Sequence, residues 1–266
     1  MTLVSLRGSW SLVLGVSGGM GAAIARALAA EGGNVIGVHF DRAAGREQAA
    51  KLADELRESG VEAHFLNLNI AAPSTREAVV AEIAERTGGA GVRVLVHSVA
   101  FGSLVPFLPA EGAAKAITDR QMAMTVDVMA HSLVYWVQDL HAAGLLPRGA
   151  KVYGLTSAGS VNVVPSYGAV SAAKSALESH VRQLAVELAP AGVAVNALRA
   201  GTTLTAALDK IPGSAEYAER CRERNPHGRL TETSDVGEAV VLLSSSDSSW
   251  ITGNVIGVDG GELVVA

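Results

Sequence analysis

The sequence predicts an α/β fold, one doubly wound parallel sheet of seven strands flanked by helices. Three observations predict it. Short apolar runs of strand length alternate with helix-length stretches from end to end of the 266 residues, an order that gives parallel strands joined by right-handed crossovers. The composition suits strands buried on both faces and suits a sandwich poorly: 49% of residues are hydrophobic, only 4% aromatic, with 29 Gly and 8 Pro. A cluster of glycines falls where the first strand meets the first helix.

Taken in order, Trp10–Gly15 reads as a strand and Gly19–Ala30, with alanines throughout, as a helix. Asn34–Phe40 is a second strand, followed by a charged helix over about Gly45–Ser59. Val61–Leu68 is a strand, Thr75–Arg86 a helix and Val92–His97 a fourth strand. A long helix is expected over about Asp119–Ala143, then a strand at Lys151–Thr156 and a helix bearing both Tyr167 and Lys174. Val193–Leu198 is the sixth strand. A variable region near 202–226 precedes a helix at Ser234–Ser245 and a last strand at Asn254–Val258. No composition break, repeat or low-complexity tract divides the chain, so a single domain over 1–266 is expected.

Composition also excludes function classes. A formal charge of -5 without a Lys/Arg cluster argues against nucleic acid. Cys221 is the only cysteine, which excludes disulfides within the chain and thiolate metal sites and points to a reducing, cytoplasmic setting. No basic leader is followed by an apolar core, and no apolar run is long enough to span a bilayer.

The glycine cluster, Gly15-Val-Ser17-Gly18-Gly19-Met20-Gly21, sits at a strand-to-helix turn. Free backbone N–H groups and the helix dipole attract a diphosphate there, provided no side chain blocks the approach. Its Gly-x3-Gly-x-Gly spacing differs from the commoner fingerprint, yet its place in a first βα unit predicts a dinucleotide-binding domain of Rossmann type. The second strand ends His39-Phe40-Asp41-Arg42, offering both signs of charge. Arg42 suits a 2′-phosphate and Asp41 repels one; NADPH is the expectation, with NADH the alternative. Asn69 and Ile70, after the third strand, are placed to flank adenine. Ser98 to Gly102, including Ala100, would form the floor beneath the cofactor ribose, while His97 is read as a structural donor in preference to a general base.

Tyr167 precedes Lys174 by seven residues, nearly two helical turns, which puts phenol and ammonium on one stripe. A phenol near a fixed cation ionises more easily, as suits a proton donor to a developing oxyanion. Ser157, near the carboxyl end of the fifth strand, is a further hydroxyl donor, with Thr156 and Ser160 as local competitors. Tyr135 and Trp136 are read as core or subunit-interface residues.

Together these residues resemble the short-chain dehydrogenase/reductase superfamily, from Gly15 to the ending Ile251-Thr-Gly-Asn-Val-Ile-Gly-Val-Asp-Gly-Gly261. Most of that family place the catalytic Tyr four residues before the Lys, where this chain has Val170. The seven-residue spacing resembles the divergent branch holding the enoyl-acyl-carrier-protein reductases, as do His97-Ser98, Ser171–Glu178, Val195–Gly201 and Asn225-Pro-His-Gly-Arg229. Arg42 resembles a 2′-phosphate-binding Arg of NADPH-using members, although Gly18 replaces a basic residue common among them.

The resemblance implies an enoyl-thioester reductase of fatty-acid biosynthesis and lipid metabolism. Tyr167, Lys174 and Ser157 would be its catalytic residues, and Lys174 would also hold the nicotinamide ribose. Gly201, Thr203 and Thr205 would border the nicotinamide, with Thr205 holding the carboxamide. A lid at about 202–226 would close over the acyl chain. The partners implied are an enoyl thioester on acyl carrier protein or coenzyme A, and a homotetramer packed through the long helix and the helix of Lys174. Ser157 also stands seventeen residues before Lys174, where ketone-reducing members keep their catalytic Ser, so an NAD(P)-dependent ketoreductase, hydroxysteroid or other alcohol dehydrogenase is the alternative. Asp127 stands where the family usually has an Asn that holds a relay water.

Overall fold

A computed structural model describes residues 3–108 and 115–265. The strands are β1 (Trp10–Leu14), β2 (Asn34–His39), β3 (Ala63–Asn67), β4 (Val94–His97), β5 (Lys151–Ser157), β6 (Ala194–Ala200) and β7 (Val255–Val258). They form one parallel sheet in the order β3-β2-β1-β4-β5-β6-β7. The helices are α1 (Gly19–Ala30), α2 (Ala43–Glu58), α3 (Pro73–Arg86), α4 (Asp119–Val126), α5 (Ser132–Ala142), α6 (Gly168–Glu187), α7 (Ser214–Arg224) and α8 (Thr233–Ser244).

Every residue of β1 and β4 is buried, as befits strands covered on both faces. Successive side chains alternate between two cores. Leu12, Leu14 and Leu95 join Ile83 of α3, Trp136 of α5 and Leu177 and Val181 of α6. Val13, Val94 and Val96 join Ile24 and Leu28 of α1, Leu52 of α2 and Val240 of α8. The strand order reverses between β1 and β4, which opens a crevice beyond their carboxyl ends, the place where such sheets bind ligands. Leu14 and His97 pair in register at that edge.

Three expectations are corrected. The long helix over 119–143 is interrupted by a π-helical turn at Asp127–His131. There the Ser132 amide donates to Asp127 O, five residues back, while the Ser132 hydroxyl takes the Val128 carbonyl that an α-helix would have offered the amide. The variable region contains α7, whose buried seam is only Ala218 and Cys221, too narrow to read from the sequence. Tyr167 is not inside a helix but is the N-cap of α6. Element ends otherwise shift by a residue or two: β3, for example, spans Ala63–Asn67 instead of Val61–Leu68. Trp136 is wholly buried, its Nε1 donating to Ile70 O, while Tyr135 lies beneath the Arg76 guanidinium.

Candidate active site

Two glycines let β1, β4 and α1 meet. Gly15 has φ +86°, and a Cβ there would fall 2.2 Å from Ser98 O. A Cβ on Gly21 would fall 2.1 Å from Gly15 O. Gly21, expected to face the diphosphate, therefore serves close packing beneath the turn and does not border the groove. Gly18 caps α1 in extended conformation without a side-chain hydrogen bond, and no acidic residue occupies the first turn. Those N–H groups remain open to a groove of about 1490 Å³, lined by Gly15, Ser17, Gly19, Met20, His39, Asp41, Asn69, Ile70, Ser98, Ala100 and Thr205. A helix start without a side-chain cap and with glycine at Gly18 and Gly19, facing a groove of this size, fits a dinucleotide diphosphate.

At the end of β2 the two charges separate. His39 is buried, and its Nδ1 lies 2.9 Å from Asp41 Oδ2. Asn67 accepts from Asp41 N and donates to Asp41 O, which pins the residue beside the groove. Arg42 is the exposed N-cap of α2 and is not among the residues that line the groove. Asn69 lines the groove, and its Oδ1 accepts from Ala71 N in a turn.

Beside the groove lies a cavity of about 310 Å³ bordered by Ser157, Tyr167, Lys174, Gly201, Thr203 and Thr205, with Met129, Leu155, Val170 and Leu208 supplying apolar wall. Ser98, Ala100, Met20 and Thr205 border both spaces. Ser166, with φ 59°, turns the chain so that Tyr167 points inward. The Tyr167 hydroxyl lies 3.3 Å from Ser157 Oγ, and its ring packs where a Cβ on Gly159 would be. Lys174 is buried; its Nζ donates to Leu155 O at 2.7 Å and Val99 O at 3.3 Å, which leaves a third N–H.

Electrostatics differ from expectation. Burial raises the Tyr167 phenol above its ordinary value, the Ser157 hydrogen bond opposing it, so the group stays protonated at neutral pH. Burial lowers Lys174 to about 8, with the Glu178 carboxylate partly restoring the charged form. His97 is pushed down to about 3 by burial and then by Lys174. Since the Ser132 hydroxyl donates to Val128 O, it accepts from His97 Nε2, the structural role anticipated.

A family model described as enoyl-(acyl carrier protein) reductase matches residues 15–262. The chain is a short-chain dehydrogenase/reductase of this family. It is 32% identical to the galactitol 2-dehydrogenase (L-tagatose-forming) of Cereibacter sphaeroides, over 99% of this chain and 98% of that protein. It is 30% identical to the 1-cyclohexenylcarbonyl-CoA reductase of Streptomyces collinus, over 96% of this chain and 87% of the relative. The crystal structure of the Bacillus cereus enoyl-acyl carrier protein reductase with NADP+ and an indole naphthyridinone superposes with a TM-score of 0.87 at 25% identity, covering 99% and 100% of the two chains. This short-chain dehydrogenase/reductase is an oxidoreductase served by a nicotinamide cofactor. No helix among its described residues is long and apolar enough to cross a membrane.

Two groups of this oxidoreductase escape the sequence reading. Glu178 accepts from the Thr156 hydroxyl at 2.6 Å, tying α6 to β5 between Leu155 and Ser157. The i, i+4 spacing of Lys174 and Glu178 was the available signal. Tyr217 of α7 also borders the cavity. Nothing local in the sequence marks it, because the path of the segment 202–226 sets its direction.

Proposed function

We propose that the chain is an enoyl-thioester reductase that converts trans-2-enoyl thioesters to acyl thioesters in fatty-acid biosynthesis. One observation carries the reading. The phenol in the cavity is Tyr167, seven residues before Lys174, while the place four residues before it holds Val170, an apolar side chain. A phenol kept protonated by burial suits donation to an oxygen that gains charge and suits poorly the deprotonation of an alcohol. A bound nicotinamide would supply the hydride for the β-carbon, and solvent the proton that the α-carbon gains. Tyr167 donates to the thioester oxygen as enolate charge builds there, and Ser157 offers a second donor beside it. Lys174, fixed by two carbonyls, directs its remaining N–H and its charge toward ribose hydroxyls. Gly201, Thr203 and Thr205 bound the nicotinamide side, and the segment 202–226 closes over the acyl chain. The acyl group arrives on acyl carrier protein or coenzyme A. A cytoplasmic homotetramer packed through α4, α5 and α6 completes the reading.

The second reading is a ketone reductase, favoured by Ser157 at 3.3 Å from the phenol and by the galactitol dehydrogenase likeness. Crotonyl and acetoacetyl thioesters assayed in parallel decide between them. NADPH consumption with the crotonyl thioester is expected; consumption with the ketone alone overturns the first reading.

NADPH is the proposed cofactor, NADH the alternative. Arg42 lies at the amino end of α2, where its side chain and the helix N–H groups suit a 2′-phosphate, although Asp41 faces the groove. Arg42→Ala is expected to raise the KM for NADPH about tenfold and that for NADH little. Equal effects on both would assign the adenosine end to Asp41 and NADH.

A further inference from the structure

Glu262 is a buried carboxylate that the proposed chemistry does not use. Beyond β7 the chain turns back through Gly260 and Gly261, at φ 58° and 84°, a left-handed path that favours glycine. Asp259 holds the turn, its side chain accepting from Gly261 N and its carbonyl from Glu262 N. The turn buries Glu262 completely. Its Oε2 accepts from Thr202 N at 2.9 Å and its Oε1 from the Thr202 hydroxyl at 2.8 Å. Arg224, at the end of α7, reaches to 4.0 Å of the same Oε1.

Thr202 is the first residue beyond Gly201, where the chain leaves the sheet for the segment 202–226. Its carbonyl accepts from Thr231 N at 3.1 Å, so the returning chain is fixed to the same residue. Thr202, Thr203 and Tyr217 border the cavity, and Thr205 borders both cavity and groove. One carboxylate thus meets the start of the segment directly and its helix at longer range.

We propose that Glu262 is a positioning residue for this segment, holding Thr202 and through it the arc 201–205 against both cavity and groove. A buried N–H and hydroxyl deprived of their acceptor must find another, and the arc has to move to supply one. The proposal rests on the reading of 202–226 as the closing segment.

Hydrogen exchange on the full chain without ligand tests it. Glu262→Met removes the acceptor from both the Thr202 N–H and the Thr202 hydroxyl at similar side-chain volume. Exchange at 202–205 and over α7 is expected to rise about tenfold, with β1, β4 and α6 unchanged, and NADPH binding to weaken about tenfold. Thr202→Val keeps the N–H contact and is expected to give a smaller rise at the same amides. The double variant is expected not to exceed Glu262→Met alone, since the hydroxyl that Thr202→Val deletes has by then lost its acceptor. Unchanged exchange over the segment overturns the proposal, as do a uniform rise across all elements and additive effects in the double variant. Should Glu262→Met not fold, Thr202→Val decides alone by the same local readout. If no thioester is reduced yet exchange rises locally, the enoyl-reductase reading fails and this one stands.

Discussion

Tyr167→Phe is expected to lower kcat with a crotonyl thioester by about a hundredfold or more, the range for losing an acid or an oxyanion donor. The variant removes one oxygen and keeps the ring, which packs against Gly159 at the mouth of α6. Cofactor affinity, measured by fluorescence titration, should change little, because the phenol faces Ser157 and the diphosphate groove lies elsewhere. The melting temperature should also hold, since the only side-chain bond lost is a 3.3 Å contact between two hydroxyls. A near-normal rate would move the donor role to Ser157, and Ser157→Ala would then carry the large loss.

That expectation began as spacing alone, and it illustrates what a sequence exposes. A separation of seven positions brings Tyr167 and Lys174 to one cavity although Tyr167 caps the helix and does not lie inside it. The glycine turn and the strand order were legible for a similar reason: burial on both faces imposes continuous apolar runs, and backbone approaches of little more than 2 Å to a would-be Cβ admit only glycine. What stayed hidden depends on contacts across the chain. The π-turn follows from a Ser132 hydroxyl competing for its own helix's carbonyl while accepting from His97 of β4. Asp41, not Arg42, faces the groove because Asn67 of the neighbouring strand pins its backbone, and the next residue must then cap α2. Glu262 meets Thr202 across sixty residues of chain, a pairing no local pattern announces.

Lys174→Met is the companion test, and it separates chemistry from stability. The buried ammonium holds Leu155 O and Val99 O and borders the cavity. Its removal is expected to reduce kcat/KM on the order of a hundredfold or more and to weaken cofactor binding, because both charge and ribose donor go. Unchanged cofactor affinity would count against the ribose role. In the wild type, activity should fall as pH rises through about 8, where Lys174 loses its proton. Stability has the opposite sign. The folded value is lowered from 10.5 to about 8 by burial, so between those limits the unfolded chain binds the extra proton and rising pH favours the fold. Over that window the wild type should gain up to about 3 kcal/mol relative to Lys174→Met, read as a wild-type denaturant midpoint that rises against the variant's between pH 8 and 10. A gap that stays constant with pH would mean that Lys174 titrates alike folded and unfolded, and the buried, carbonyl-held ammonium at the heart of the site would have to be abandoned.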